Sequence, residues 1–478
     1  PLFIYAMAPC FAFTPDPRFA VLALAMAGTL AIGLTGMTAR RLWGGWAAVV
    51  AAAIVCFSPT AIDHSRRLWG HDTIIFFSAL TTYCTVRGIQ MQRKKFLWVA
   101  MASAAAAQAC HLTGVLLWIL PVGALLIFRP RQWKLSLAVG AGLLLLVYAP
   151  WIAHEIAPGE DGRRFDETRL VIGLVTGEAE VARRAQSPDP AFKTWLLQLA
   201  DGGHNDLLGL EYGAFLRAHP VLRGLYWVVH VVMAALVLCA LAALLGTAWR
   251  HRKRPTTRRW ALLGACAALA PPVLFTILPV TTVPPYQLPA FIPTALGVAW
   301  VLTRFPSILR GATWREQRSE PLRRRALAAS AVAVLLCSVF GVWYTMAQRR
   351  FVVEATPLQR TTTILDHKLD AIALIVSTAG GATYAISQDG RDPRAGVDFW
   401  VLYLHYYVSG EEHAPTDPLA EHLYVIRDSK SVLRPEVAPF LDRFDATEIG
   451  TLRVTRLMKA EAREWRRLTA EYPSAPPE

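Results

Sequence analysis

The feature that most constrains this chain is a series of apolar blocks too long for an ordinary soluble core. They run over 19–39, 44–57, 96–128, 135–153, 224–249, 260–280, 288–303 and 326–346. A helix needs about 20 apolar residues to cross a hydrocarbon layer of about 30 Å, and several blocks reach that length. Backbone polar groups inside lipid must bond to one another, so these blocks are expected to be helices. Only 18% of the 478 residues are charged and 54% are hydrophobic, where a soluble chain carries about a quarter charged residues. The expected fold class is an all-α polytopic membrane helical bundle.

The net charge of +14 does not point to nucleic acid. There is no Lys/Arg stripe with interleaved aromatics of the kind that tracks a strand. The basic residues gather instead in alternate linkers: Arg40 and Arg41; Arg87 to Lys95; Arg129 to Lys134; Arg250 to Arg259; Arg304 to Arg325. Those five linkers hold twenty-two Arg and Lys, and the short linkers 58–72, 111–113 and 281–287 hold two, Arg66 and Arg67. By the positive-inside rule the first set faces the cytoplasm. Block 96–128 has basic residues at both ends, so it is expected to cross twice, breaking near "CHLTG" with His111 at the outer surface. The prolines of "PVTTVPPYQLP" split block 260–303 in the same way. The result is about ten transmembrane helices.

Residues 1–347 read as this bundle, with a long outer loop at 154–222. Residues 348–478 read as a small C-terminal α/β domain on the outer, periplasmic face. Its segments "ATYAIS", "HLYVIRD" and "GTLRVTRL" have strand composition, and "PEVAPFLDRF" reads as a short helix. The Ala/Arg-rich composition suits a bacterial inner (plasma) membrane protein. The seven cysteines lie in or beside apolar blocks with no CxxC pair, so they read as small buried thiols rather than a disulfide or zinc framework. The chain opens on "PLFIYAMAPC" with no initiator Met and no basic leader. It is therefore expected to begin inside a longer protein.

The densest polar chemistry lies in "SRRLWGHDTIIFF", residues 65–77, between two hydrocarbon runs. Asp72 suits the N-cap of the next helix, and it equally suits a polar substrate at the mouth of a membrane cavity. Trp69 suits the interface, and Arg66 and Arg67 suit lipid headgroups or a phosphate. His111 stands alone at a helix break, where a hydrogen bond or a phosphate contact would each fit. Tyr286 and Gln287 line a cavity or anchor the interface. His204 and Asp206 lie in "DGGHNDLLG", a turn-like stretch of the outer loop. No cofactor is fixed by these motifs. A divalent metal stays an open option, with His154 and Glu155 at a span end as its weak candidate ligands.

The stretch "FSPTAIDHSRRLWGHDTIIFFSALTTYCTVRG" resembles a segment of the polytopic lipid-linked-sugar glycosyltransferases, the protein O-mannosyltransferase and aminoarabinose-transferase group of GT-C enzymes. "PLFIYAMAP" is similar to the segment after that family's first outer loop, and "PPYQLPAFIPTALGVAW" to its entry into a late span. The resemblance implies a glycosyltransferase that moves a sugar, with inversion, from a polyprenyl-phosphate donor to a lipid, glycan or protein acceptor on the outer face. It implies Asp72 as a catalytic carboxylate with an arginine of the same turn, Arg66 or Arg67, for the substrate; His71, His111, His204 and Tyr286 are substrate-binding candidates by their positions. The family's principal acid lies in the first outer loop, before the point where this sequence starts. A cation is needed for the departing phosphate and a carboxylate for the acceptor's proton. Two rivals remain on the sequence. One is a transporter or flippase of the same lipids, which would place charges near the bilayer midplane. The other is an assembly protein acting through its tail, with "FWVLYLHYYV" at 399–408 as the binding segment.

Overall fold

The computed structural model describes residues 2–14, 16–65, 70–156, 191–200, 219–250, 255–277, 284–309, 324, 328, 331–332, 334–346, 365–388, 420–428, 438–449 and 452–471. The chain divides into two compact units. One comprises Pro1–Ala8, Val21–His204 and Val221–Ala347; the other comprises Pro9–Ala20, Asn205–Pro220 and Gln348–Glu478.

The first unit is helical. Helices α1 (Leu2–Phe13) and α2 (Pro17–Trp43) are followed by α3 (Gly45–Phe57), α4 (Pro59–His64), α5 (Ile74–Met91), α6 (Lys94–Cys110) and α7 (Ile119–Phe128). Next come α8 (Trp133–Ile156), α9 (Ala191–Leu199), α10 (Pro220–Arg250), α11 (Pro255–Ile277), α12 (Phe291–Leu309) and α13 (Val334–Met346). Three 3-10 turns at Gly70–Thr73, Leu112–Trp118 and Pro284–Ala290 complete it. Among the described residues, four helical stretches are long and apolar enough to cross a membrane, namely Arg18–Trp43, Tyr226–Trp249, Thr256–Ile277 and Tyr286–Thr303.

Successive helices turn back through very short links. Gly44 joins α2 to α3 at φ 103°, a conformation that costs a Cβ-bearing residue heavily. Gln92 closes α5 in the left-handed region, its N–H donating to the Gly88 carbonyl, and Arg129 closes α7 in the same way on Leu125. Arg40 and Arg41, Arg93 to Lys95, and Arg129 to Lys134 therefore sit at or beside these tight ends. There Lys94 lies over Trp98, Arg87 over Phe96 and Arg259 over Phe128, contacts that suit an interfacial belt.

Block 96–128 breaks where the sequence predicts. Helix α6 ends at Cys110 and His111 is extended. At its other end α3 stops at Phe57, where its apolar block ends, and the separate helix α4 starts inside the linker 58–72. Pro59 disfavours a helical Ser58. Ser58 is extended and its Oγ accepts from the Ala61 N–H, capping α4 with Pro59 in its first turn.

Small side chains let the helices approach closely, as membrane bundles require. The main core joins Ala31 and Ala39 of α2, Ala47, Val50 and Ala51 of α3, Ala79 of α5, Ala104 and Ala107 of α6, Val237 and Ala240 of α10, and Ile292, Ala295 and Ala299 of α12. A second cluster packs Leu97 and Met101 of α6 on Leu125 of α7 and Leu263 of α11. Buried Gln108 is satisfied by Trp118 and Tyr148. The cysteines do not all behave as buried thiols: Cys84 is buried, whereas Cys56, Cys239 and Cys266 lie exposed on helix surfaces.

The second unit holds a four-stranded sheet in the order β1 (Tyr384–Gln388), β2 (His422–Asp428), β4 (Leu452–Met458), β3 (Ala446–Ile449). β1 and β2 are parallel and the other pairings antiparallel. Alternation along the strands gives the sheet two apolar faces. Tyr384, Ile386, Tyr424, Ile426 and Val454 cover α14 (Leu365–Ala379). Leu423, Val425 and Leu457 cover α15 (Ala438–Leu441) and Trp465 of α16 (Lys459–Glu471). β3 and α16 are elements that the turn-former pattern does not single out. The segment 399–408 lies outside the described residues.

Ala51 is fully buried in the α3 seam. Ala51→Leu should therefore lower the melting temperature in detergent, at a cost of about 1–3 kcal/mol for overpacking. Val49→Leu on the exposed side of the same helix should leave it unchanged.

Candidate active site

The linkers at 58–73 and 111–113 and the 3-10 turn at Pro284–Ala290 come together at one end of the first unit. A Cβ on Gly70 would stand 2.6 Å from the Cys110 carbonyl oxygen. Only glycine lets this turn lie against the end of α6, and that contact brings His71 to His111. Their ring centroids are 3.4 Å apart, and Tyr286 packs on both at 5.5 and 5.7 Å. Phe275 backs Tyr286 at 5.8 Å. The Thr113 N–H points at His111 Nδ1, 3.3 Å away, so the neutral ring carries its proton on Nε2.

Burial, reinforced by the charges of His111 and His64, pushes His71 from its ordinary 6.5 down to about 3. Burial pushes His111 down to about 4. Both imidazoles are therefore neutral at physiological pH. They offer one N–H and one acceptor each rather than positive charge.

Asp72 does not cap α5. The N-cap position belongs to Thr73, which makes no side-chain capping bond. Asp72 Oδ1 instead accepts from His64 Nδ1 at 2.7 Å, and both side chains are wholly buried. This bond closes a loop whose sequence is Ser65 to His71, with Arg66 and Arg67 inside it. A carboxylate and an imidazole buried together satisfy each other where neither tolerates isolation.

Helix α4 is held at three successive polar positions. The Thr60 hydroxyl donates to the Gln198 carbonyl at 3.2 Å, and Gln198 Nε2 donates back to Thr60 Oγ1 at 3.3 Å. Asp63 Oδ2 accepts from the Tyr344 hydroxyl at 2.9 Å. His64 reaches Asp72. The pair borders a cleft between α2, α3, α4 and α5, open to solvent, lined by Leu24, Ile32, Val55, Ile75 and Phe76, with Thr29 and Ser65 among its polar positions.

Among the residues singled out from the sequence, the structure gathers His71, His111 and Tyr286 into one cluster and sets Asp72 next to it. His154 and Glu155 lie in the last turn of α8. Arg66, Arg67, Trp69, His204 and Asp206 lie outside the described residues. Gln287 is wholly buried, and its amide finds no hydrogen-bond partner among the described residues. No group of three or more His, Cys, Asp or Glu converges as a metal-binding set among the described residues. Asp63, His64, Thr60 and Tyr344 are the site residues that sequence reasoning missed. The one signal was the run Asp63-His64 beside the quoted turn.

Residues 1–154 match the family model described as dolichyl-phosphate-mannose-protein mannosyltransferase. The fold is similar to that of the crystal structure of ArnT from Cupriavidus metallidurans bound to undecaprenyl phosphate. The TM-score is 0.55 at 13% identity, over 95% of this chain and 87% of that one. The apo state of the same protein gives 0.53 at 14% identity, over 96% and 88%. At these identities the likeness is one of fold. No curated protein matches the chain. The family model covers residues 57–88, the stretch that carries the sequence resemblance.

The two depressed histidines set a pH dependence. Their folded values lie below 6.5, so the unfolded chain binds more protons as pH falls. Their stabilising contribution is full above about pH 6.5 and drains away toward pH 4. Melting temperature in detergent should fall between pH 7.5 and pH 5, and His111→Asn should flatten that fall.

Proposed function

We propose that the protein is a multi-pass membrane glycosyltransferase that moves a sugar from a polyprenyl-phosphate donor to a hydroxyl of a lipid, glycan or protein acceptor, with inversion at the anomeric carbon. One observation carries this reading. The segment that matches the mannosyltransferase family model is the one that closes an apolar cleft on a buried Asp72–His64 pair. The relative of like fold binds undecaprenyl phosphate, and a lipid phosphate of that class is the donor proposed here.

In this reading α2, α3, α5, α6, α7, α8, α10, α11, α12 and α13 are the ten spans. Exposed Trp227 and Trp249 of α10 lie about 33 Å apart at the helical rise, which suits two interfaces of one bilayer. The basic hairpin ends face the cytoplasm, and the turns at 58–73, 111 and 284–290 face the periplasm of a bacterial inner membrane. Residues 348–478 form the periplasmic domain.

The reaction breaks the bond between the anomeric carbon and the phosphate oxygen and forms one from the opposite face to the acceptor oxygen. The lipid phosphate leaves as an anion, and Arg66 and Arg67 supply the cations for it. Asp72 is the carboxylate of the site: its bond to His64 closes the arginine loop beside the cleft, and it is the group nearest to take the acceptor's proton. His71, His111 and Tyr286 present neutral donors and ring faces suited to a sugar.

The test uses the purified protein in nanodiscs with radiolabelled polyprenyl-phosphate sugars and membrane extract as acceptor source. Label should pass to acceptor, and Asp72→Asn should reduce the rate about 100-fold or more at unchanged protein level. Full activity of that variant would remove Asp72 from the mechanism. Movement of the lipids across vesicles without any transfer would replace the enzyme with a flippase.

A further inference from the structure

We infer that Tyr344, on the last helix of the first unit, is a positioning residue for the reaction, holding the His64–Asp72 pair in place through Asp63. The inference rests on the glycosyltransferase reading and names a residue that reading does not use.

The argument begins with the size of α4. Six residues make fewer than two turns, and a helix that short has almost no stability of its own. Its orientation is set by what its side chains bond to. Thr60, Asp63 and His64 are 2%, 5% and 1% exposed, so the three are locked to α9, α13 and the Gly70–Thr73 turn respectively. Asp63 and His64 are adjacent on the last turn. Fixing the direction of the Asp63 carboxylate therefore fixes the rotation of that turn, and with it the direction in which His64 Nδ1 points at Asp72.

Tyr344 is fully buried, and Phe340 packs against it at 6.4 Å. One turn earlier, a Cβ on Gly341 would stand 2.6 Å from the Phe57 Cβ and 2.7 Å from the Phe57 carbonyl oxygen. The α13 backbone is thus pressed onto the last residue of α3, and Tyr344 meets α4 just beyond. Two contacts along α13 clamp both sides of the Ser58 break: Gly341 on α3 and Tyr344 on α4. A hydrogen bond to a carboxylate is also among the stronger ones, and Asp63 needs it because it is buried. Removing the hydroxyl leaves the ring packing intact and takes away one of the three bonds that orient α4. The His64–Asp72 geometry would then be held less firmly while the cleft stays as it is.

The experiment compares wild type with Tyr344→Phe, full-length and in nanodiscs, by two measurements. The first is sugar transfer: kcat should fall about tenfold, the equivalent of one charge-assisted bond, with KM for the donor unchanged. The second is modification of His64 by diethylpyrocarbonate, read by mass spectrometry against His422 as internal reference. Labelling of His64 should be slow in wild type and several-fold faster in the variant. Asp63→Asn, which keeps an oxygen to accept from Tyr344, should retain most of kcat, whereas Asp63→Leu should lose it. Unchanged His64 labelling in Tyr344→Phe overturns the inference, and so does faster labelling with unchanged kcat. If wild type transfers no sugar at all, the glycosyltransferase reading fails by itself, and Tyr344 then has no reaction to serve.

Discussion

The structure depends on one constraint: a short helix at the end of an apolar bundle buries three polar side chains in a row, and each must find a partner. Thr60, Asp63 and His64 find theirs on three different elements. An unpaired carboxylate or imidazole in such a place would cost several kcal/mol or change its protonation. The partners are therefore not optional decoration on a finished bundle. They set where α9, α13 and the Gly70–Thr73 turn stand relative to the end of α3. The apolar seams of alanine bring helices together without much preference for register, and the buried polar bonds supply that preference.

The same end of the bundle holds a second kind of polar group, the neutral imidazoles of His71 and His111 against Tyr286. Their neutrality follows from burial, and it lets two rings lie in contact that would repel each other if protonated. A site built this way separates its tasks. In the proposed reading, hydrogen bonding to a neutral sugar comes from uncharged rings, and the apolar cleft that Asp72 and His64 border suits a hydrocarbon chain.

Much of the fold was readable because hydrocarbon leaves the backbone little choice. The apolar blocks became helices, and the break at His111 fell between two basic ends that demanded an even number of crossings. The strands at 384–388, 422–428 and 452–458 followed from their β-branched and aromatic runs. Legibility failed where local and tertiary preferences competed. Asp72 has the right residue type and position to cap α5, yet His64 claims it, because the buried imidazole arrives within 2.7 Å of the carboxylate. Helix α4 was hidden because Ser58-Pro59 falls in what reads as a plain linker, although it is the cap of a new helix. Asp63 and Tyr344 are 281 positions apart, and nothing in either neighbourhood marks the pair.

By itself the sequence determined that this is a membrane bundle, which ends of its helices carry positive charge, and in which turn polar chemistry concentrates. It did so because burial in lipid acts on composition and length, which are properties of each segment alone. Only the tertiary structure decided what the polar residues of that turn do: Asp72 bonds to His64 rather than capping, His71 rests on His111, and α13 reaches back to α4. Those outcomes depend on which distant groups arrive within bonding distance, and a linear chain carries no distances.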